Sequence, residues 1–148
     1  MRNQLEVPVS AILFPHQEGA FVFRRSFFFL KKKSAYLDRP RIITVNCQSS
    51  SGCQTPLIQS HFPGLSQSML IKRGSKGERL NMPLQLWYAP SASQNRSPVN
   101  AAVYNITFGR VWYGPFIALK FTNTQRRDYT GIGNNDLDTL VAFFLTCT

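Results

Sequence analysis

Gly131-Ile132-Gly133-Asn134-Asn135-Asp136-Leu137-Asp138-Thr139-Leu140-Val141-Ala142-Phe143-Phe144-Leu145 carries the strongest structural signal in the chain. After the two glycines, Asn134 or Asn135 can cap a helix whose first turn holds Asp136 and Asp138. Acidic side chains there complement the positive end of the helix dipole. Leu137, Leu140, Val141 and Phe144 then recur at i, i+3, i+4 and i+7, the spacing of one buried face. The spacing predicts a helix over 135–145. Upstream, residues 116–121 (Phe-Ile-Ala-Leu-Lys-Phe) read as a strand that opens after Gly114-Pro115, because proline cannot donate to a ladder. The helix should pack on that strand.

Further toward the N-terminus, Asn100 offers an N-cap, and Ala101, Ala102, Val103 and Ile106 suit a short helix. Gly109 stands where a C′ glycine belongs. Residues 84–88 alternate into a strand stopped by Pro90. Residues 9–14, 20–23 and 41–45 are β-branched or aromatic and bounded by Pro, Gly or charge, a strand signature. Residues 27–30 extend the second of these. The polar tract 48–79, broken by one apolar patch at 69–71, reads as a loop or an insertion that the rest of the fold ignores. The expected class is α+β: a small, antiparallel-leaning sheet with a C-terminal amphipathic helix packed on one face. One domain over 1–148 is expected, β-leaning and loop-rich over 1–98, with a helix-strand-helix module over 99–148.

The string from Asn100 through Ala102, Gly109, Tyr113-Gly114-Pro115-Phe116-Ile117-Ala118-Leu119-Lys120, Tyr129, Asp136-Leu137 and Phe143-Phe144 resembles a segment of uncharacterised proteins from mushroom-forming (basidiomycete) fungi. In that group a capped helix leads through a glycine to a Gly-Pro-apolar-Leu-Lys strand, and an Asp-Leu…Phe-Phe helix closes the module. The resemblance covers the last third of the chain and implies no activity.

Bulk properties narrow the function classes. The 148 residues are 43% hydrophobic with 12 Phe, too apolar for a disordered chain, and only 16% are charged. Lys and Arg number 17 against 7 Asp and Glu, a net +10. Segment 1–40 holds seven basic and three acidic residues (+4), 41–99 six and one (+5), and 100–148 four and three (+1). That excess favours polyanion partners, nucleic acid among them. Cys47, Cys53 and Cys147 are too few and too odd in number for a secreted disulfide framework. Glu6 and Pro8 disqualify the opening residues as a signal peptide. Arg24 and Arg25 split the best candidate for the ~20-residue apolar run of a membrane helix. An intracellular location, cytoplasmic or nuclear, with no transmembrane segment, is the expectation.

No catalytic motif is present, so no enzyme activity is expected. Asp136 and Asp138, two apart on a helix, do not face each other. A Cys53/His61 dyad would need tertiary proximity. Cys47, Cys53 and His61, with His16 or Cys147, fall outside zinc spacing, and a Cys47–Cys53 disulfide would suit only an oxidising compartment. No metal or cofactor is expected. Gly131-Ile132-Gly133 imitates a dinucleotide turn, but Asp136 occupies its third glycine position and would repel a pyrophosphate. Lys72-Arg73-Gly74-Ser75-Lys76-Gly77-Glu78-Arg79 has phosphate-friendly amides and cations without the Lys-Ser/Thr of a P-loop.

Two readings remain. The leading one is a non-catalytic module that binds a protein partner, with Trp87, Tyr88, Trp112 and Tyr113 as candidates because Trp and Tyr dominate interface energetics. The alternative is binding of nucleic acid or another polyanion. Its candidates are Arg24, Arg25, Lys31, Lys32 and Lys33 around Phe27-Phe28-Phe29, together with Lys72, Arg73, Lys76 and Arg79.

Overall fold

Strand β1, Glu6–Phe14, is buried on both faces over its second half. Val9, Ala11 and Leu13 turn one way and Ile12 and Phe14 the other, as the two-residue period of a strand requires. A strand with two dry faces belongs in the middle of a sheet. In the computed structural model, which describes residues 6–15, 20–23, 26–29, 39–94 and 97–147, β1 is flanked on both sides.

The other strands are β2 (Ala20–Phe23), β3 (Ser26–Phe29), β4 (Arg41–Ser50), β5 (Cys53–Pro56), β6 (Gln67–Arg73), β7 (Arg79–Tyr88), β8 (Phe116–Phe121) and β9 (Tyr129–Thr130). Helix α1 spans Ala101–Ile106 and α2 spans Leu137–Thr146. β2 and β3 form a separate two-stranded hairpin, so residues 26–29 turn back on β2 rather than prolonging it. The main sheet runs β5-β4-β1-β8-β7-β6, with β9 paired to β8, and every pairing is antiparallel. The α+β class with a C-terminal helix on one face is what the sequence led one to expect.

β8 lies between β1 and β7, in register Ile12↔Ala118 and Leu86↔Ala118. The last third of the chain therefore supplies the centre of a sheet whose other long strands come from the first two-thirds. Phe116 and Ala118 face the helices; Ile117, Leu119 and Phe121 face the opposite side. On the helix side, Phe144 meets Phe14, Phe116 and Trp112 edge-to-face, with ring centroids 5.2–5.4 Å apart. Leu140 and Phe144 are fully buried, and Leu137 and Phe143 flank them. Phe143 takes the place in this cluster that the spacing assigned to Val141.

Helix α2 begins two residues later than 135. A 3-10 turn, Asn134–Asp136, precedes it. The Asp136 carboxylate accepts from Gly133 N at 3.1 Å and pairs with Lys120 Nζ of β8 at 3.2 Å. One side chain thus opens the helix and ties it to the central strand.

The tract 48–79 is not a loop that the fold ignores. β4 runs on to Ser50, and the hairpin to β5 turns on Ser51 (φ 53°) and Gly52 (φ 79°). Positive φ at both central residues is the primed turn that fits the twist of a two-residue hairpin. Ile58 and Phe62, just beyond, plug the core opposite the helices. β6 then forms the other edge of the sheet. This tract therefore builds both edges. Pro83 lies within β7 where the β6 register breaks between Ile71 and Arg73, so its missing N–H falls at an irregularity.

The sheet is curled. Residues 122–128 lie across the side opposite the helices: Gln54 N of β5 donates to Arg127 O at 2.8 Å, and Tyr129 N donates to Gln54 Oε1 at 2.7 Å. Among the described residues no helix is long and apolar enough to cross a membrane.

Candidate interaction site

Asn100 is fully buried and satisfies three elements at once. Its Oδ1 accepts from Val103 N at 3.0 Å, the N-cap bond expected of it. Its Nδ2 donates to Phe14 O at 2.8 Å and Gly114 O at 2.7 Å, while its backbone N–H donates to Trp112 O at 2.7 Å. The end of β1, the start of α1 and the segment 112–114 are locked together. Gly114 completes the lock. Its φ is +78°, and a Cβ there would lie 2.9 Å from Ala92 Cβ, so both backbone conformation and space demand glycine.

Against this frame a shallow pocket of about 220 Å³ opens between the end of β7 and the segment 111–113. Tyr88, Ala92, Val111, Trp112, Tyr113 and Phe116 line it. It falls below the ~300 Å³ at which small-molecule sites begin, and its size suits one apolar side chain of a partner. Trp112 is held edge-on by Phe116 at 5.6 Å, which fixes the pocket floor. Val111 and Tyr113 are each 40% exposed.

Phe108 adds a feature that the sequence did not suggest. Helix α1 ends in a Schellman turn in which Gly109 N donates to Tyr104 O at 3.0 Å. Gly109 thus sits one position beyond C′, and Phe108 itself takes the left-handed conformation at φ 57°. Its ring is 95% exposed. A bulky residue at positive φ is uncommon, and one turned wholly to water is doubly so. The visible signal was an aromatic directly before the glycine, Phe108-Gly109.

The structure brings Tyr88, Trp112 and Tyr113 to one pocket and sends Trp87 elsewhere. Trp87 precedes Tyr88 in β7 and so projects from the opposite face, where its Nε1 donates to Gln85 Oε1 at 2.9 Å. That face also holds Cys47 and Tyr129. Burial pushes the Cys47 thiol up to about 11. The Tyr129 phenol is raised as well, first by burial and then by nearby Cys47; its hydroxyl donates to Gln85 Oε1.

Of the basic candidates, Arg24, Arg25, Lys31, Lys32 and Lys33 lie outside the described residues. Lys72, Arg73, Lys76 and Arg79 are exposed around the β6–β7 hairpin, with Arg73 and Arg79 opposite each other. The turn itself is closed to phosphate: Gly74 N donates to Glu78 O, Gly77 N to Gly74 O, and Lys76 N to the Glu78 carboxylate at 2.9 Å. Cys53 and His61 are exposed and all three thiols are free. Among the described residues no three His, Cys, Asp or Glu side chains gather around a common point; His16 lies outside those residues.

Comparison with family models, with curated proteins and with solved structures finds no match to the chain.

Proposed function

We propose that the protein is a non-catalytic interaction module that seats an apolar side chain of a partner protein between Tyr88, Trp112 and Tyr113. The observation that carries this reading is that Val111 and Tyr113 are turned to water where they line a preformed aromatic pocket, with the exposed Phe108 three residues earlier in the chain. An exposed aromatic in left-handed backbone costs stability without packing anything, and such strain collects at functional positions. Aromatic anchors around a small desolvated pocket are the usual energetic centre of a protein interface. Trp87 drops out of the candidate set, and Phe108 and Val111 join it.

The non-catalytic half of the reading rests on how the reactive groups are engaged. Cys47 is buried, with a thiol that stays protonated at neutral pH, and Asp136 is committed to Lys120 and to the helix start. The resemblance of the last third to fungal proteins adds no activity.

Peptides selected from a random library on the intact protein should carry aromatic or long aliphatic residues. They should lose at least tenfold in affinity for a Phe108→Ser/Tyr113→Ser variant that melts like the parent. Selected peptides that bind parent and variant equally would refute the reading.

A further inference from the structure

On the side of the sheet away from the helices, the loop 122–128 and the β6–β7 ribbon enclose a groove. One part, about 200 Å³, is lined by Leu70, Lys72, Arg79, Pro83, Thr124 and Arg126. A second part, about 410 Å³, shares Leu70 and Arg126 and adds Ser68, Gln85, Phe121 and Gln125. Three cations from three separate segments line it and no carboxylate does. Among the described residues the side chains of Lys72, Arg79 and Arg126 make no ion pair or hydrogen bond, whereas Lys120 is paired with Asp136. The loop is held in place: Thr122 N donates to Asp128 O at 2.9 Å, Gln125 N to Asn123 Oδ1 at 2.9 Å, and Gln54 N to Arg127 O. At its tip Arg126 adopts φ 60°, a left-handed conformation that a non-glycine residue avoids. Unpaired like charges gathered by a pinned, strained loop are an arrangement that folding alone does not favour.

We infer that this groove binds the phosphodiester backbone of single-stranded nucleic acid, with Lys72, Arg79 and Arg126 on successive phosphates and the Ser68, Thr124 and Gln125 side chains as neutral partners. The cavities are too small to seat a double helix. Phe121 is 5% exposed and stacked on Tyr129 at 4.8 Å, so it presents no open face to a base. Affinity therefore comes from phosphates, and sequence preference is weak. The site is separate from the aromatic pocket. Arg126 and Thr124 are new to it, since nothing in the run Thr122–Asp128 distinguishes them from a polar connection.

Three neutralised phosphates on a single strand give a log–log salt slope near −2, so binding of a labelled oligothymidylate to the full chain should weaken roughly twentyfold between ~50 and ~200 mM salt. Lys72→Gln/Arg79→Gln/Arg126→Gln should remove about two from that slope. Lys31→Gln/Lys32→Gln/Lys33→Gln and Phe108→Ser/Tyr113→Ser should leave it unchanged. Should the triple groove variant fail to fold by circular dichroism, Arg126→Gln alone should remove about a third of that effect. A methylphosphonate oligomer, which lacks the charge, should not bind. Three results would overturn the assignment: a slope indifferent to the groove residues, a slope carried by Lys31–Lys33, or equal affinity for poly-glutamate or for duplex DNA. Retention of oligonucleotide binding by Phe108→Ser/Tyr113→Ser separates this test from that of the aromatic pocket.

Discussion

The two faces of the central sheet are built from alternate residues of the same strands, yet they differ in kind. The helix side is an aromatic cluster in which Phe144 meets four other rings and the buried Asn100 and Thr107 side chains are hydrogen-bonded, with the Tyr88–Trp112–Tyr113 pocket at its rim. The opposite side mixes Val45, Leu119 and Phe121 with Cys47, Gln85 and Tyr129, and is bridged by a loop in place of a helix. A dry, well-packed face holds the fold together and tolerates little change. A face bridged by a loop leaves a groove with charges and amides within reach. The contrast teaches that strand alternation can give one side of a sheet a packed aromatic core with a pocket at its rim, and the other an open groove lined by charges.

The most forceful way to break this contrast is to hollow out the helix side. Phe144→Ala should cost about 3–5 kcal/mol in urea unfolding, because it removes the common partner of four rings. A cost under about 1 kcal/mol would mean that α2 is not packed. Next in size, Asn100→Ala should cost about 2–3 kcal/mol. It deletes an N-cap and strands the carbonyls of Phe14 and Gly114 in the interior. Asn100→Asp should be at least as damaging, since a carboxylate cannot donate to those carbonyls.

The polar side should betray itself through pH. Cys47 has a folded pKa of about 11 against an ordinary 9.0, so above pH 9 the unfolded chain releases a proton that the folded chain keeps. Stability is then full below pH 9 and falls by about 2 kcal/mol as pH rises through 11. The raised Tyr129 adds to the fall with the same sign at the upper end. Denaturation of Cys47→Ala at pH 8 and pH 10.5 should show a smaller drop than the parent; an equal drop would place the linkage elsewhere. The smallest effect is a gain. Arg126→Gly should raise stability by about 0.5–1 kcal/mol by relieving the left-handed strain at φ 60°, while weakening any binding in the groove. A loss of stability would show that the arginine is held there by contacts on the folded side.

The parts of this fold that were legible in the sequence are those in which several local signals coincide. α1 carries its cap and its glycine, α2 carries acid at the start and an apolar stripe, and β8 is apolar at every position but Lys120 after Gly-Pro. The edges were illegible because a half-exposed edge strand such as Gln67–Arg73 has polar residues where its neighbour is water, and only its partner β7 makes it a strand. The Ser51-Gly52 turn was visible in principle, but it sat between serines that suggested a loop. Among the aromatic candidates, Trp87 and Tyr88 could never have shared a face, since neighbours in a strand point apart. Phe108 and Arg126 were hidden because left-handed backbone at a non-glycine residue is set by tertiary context.

The pairing of Ile12 with Ala118 has a consequence for biosynthesis. At ~5–20 residues per second, a ribosome needs roughly 5–20 s to deliver β8 after β1 has emerged. Until then β1 can pair only with β4, and the flank destined for the middle of the sheet is a bare apolar edge, the kind of template on which chains join to one another. A message truncated before codon 116 should therefore yield inclusion bodies, and the nascent chain should be a client of ribosome-associated chaperones until Phe116 clears the exit tunnel.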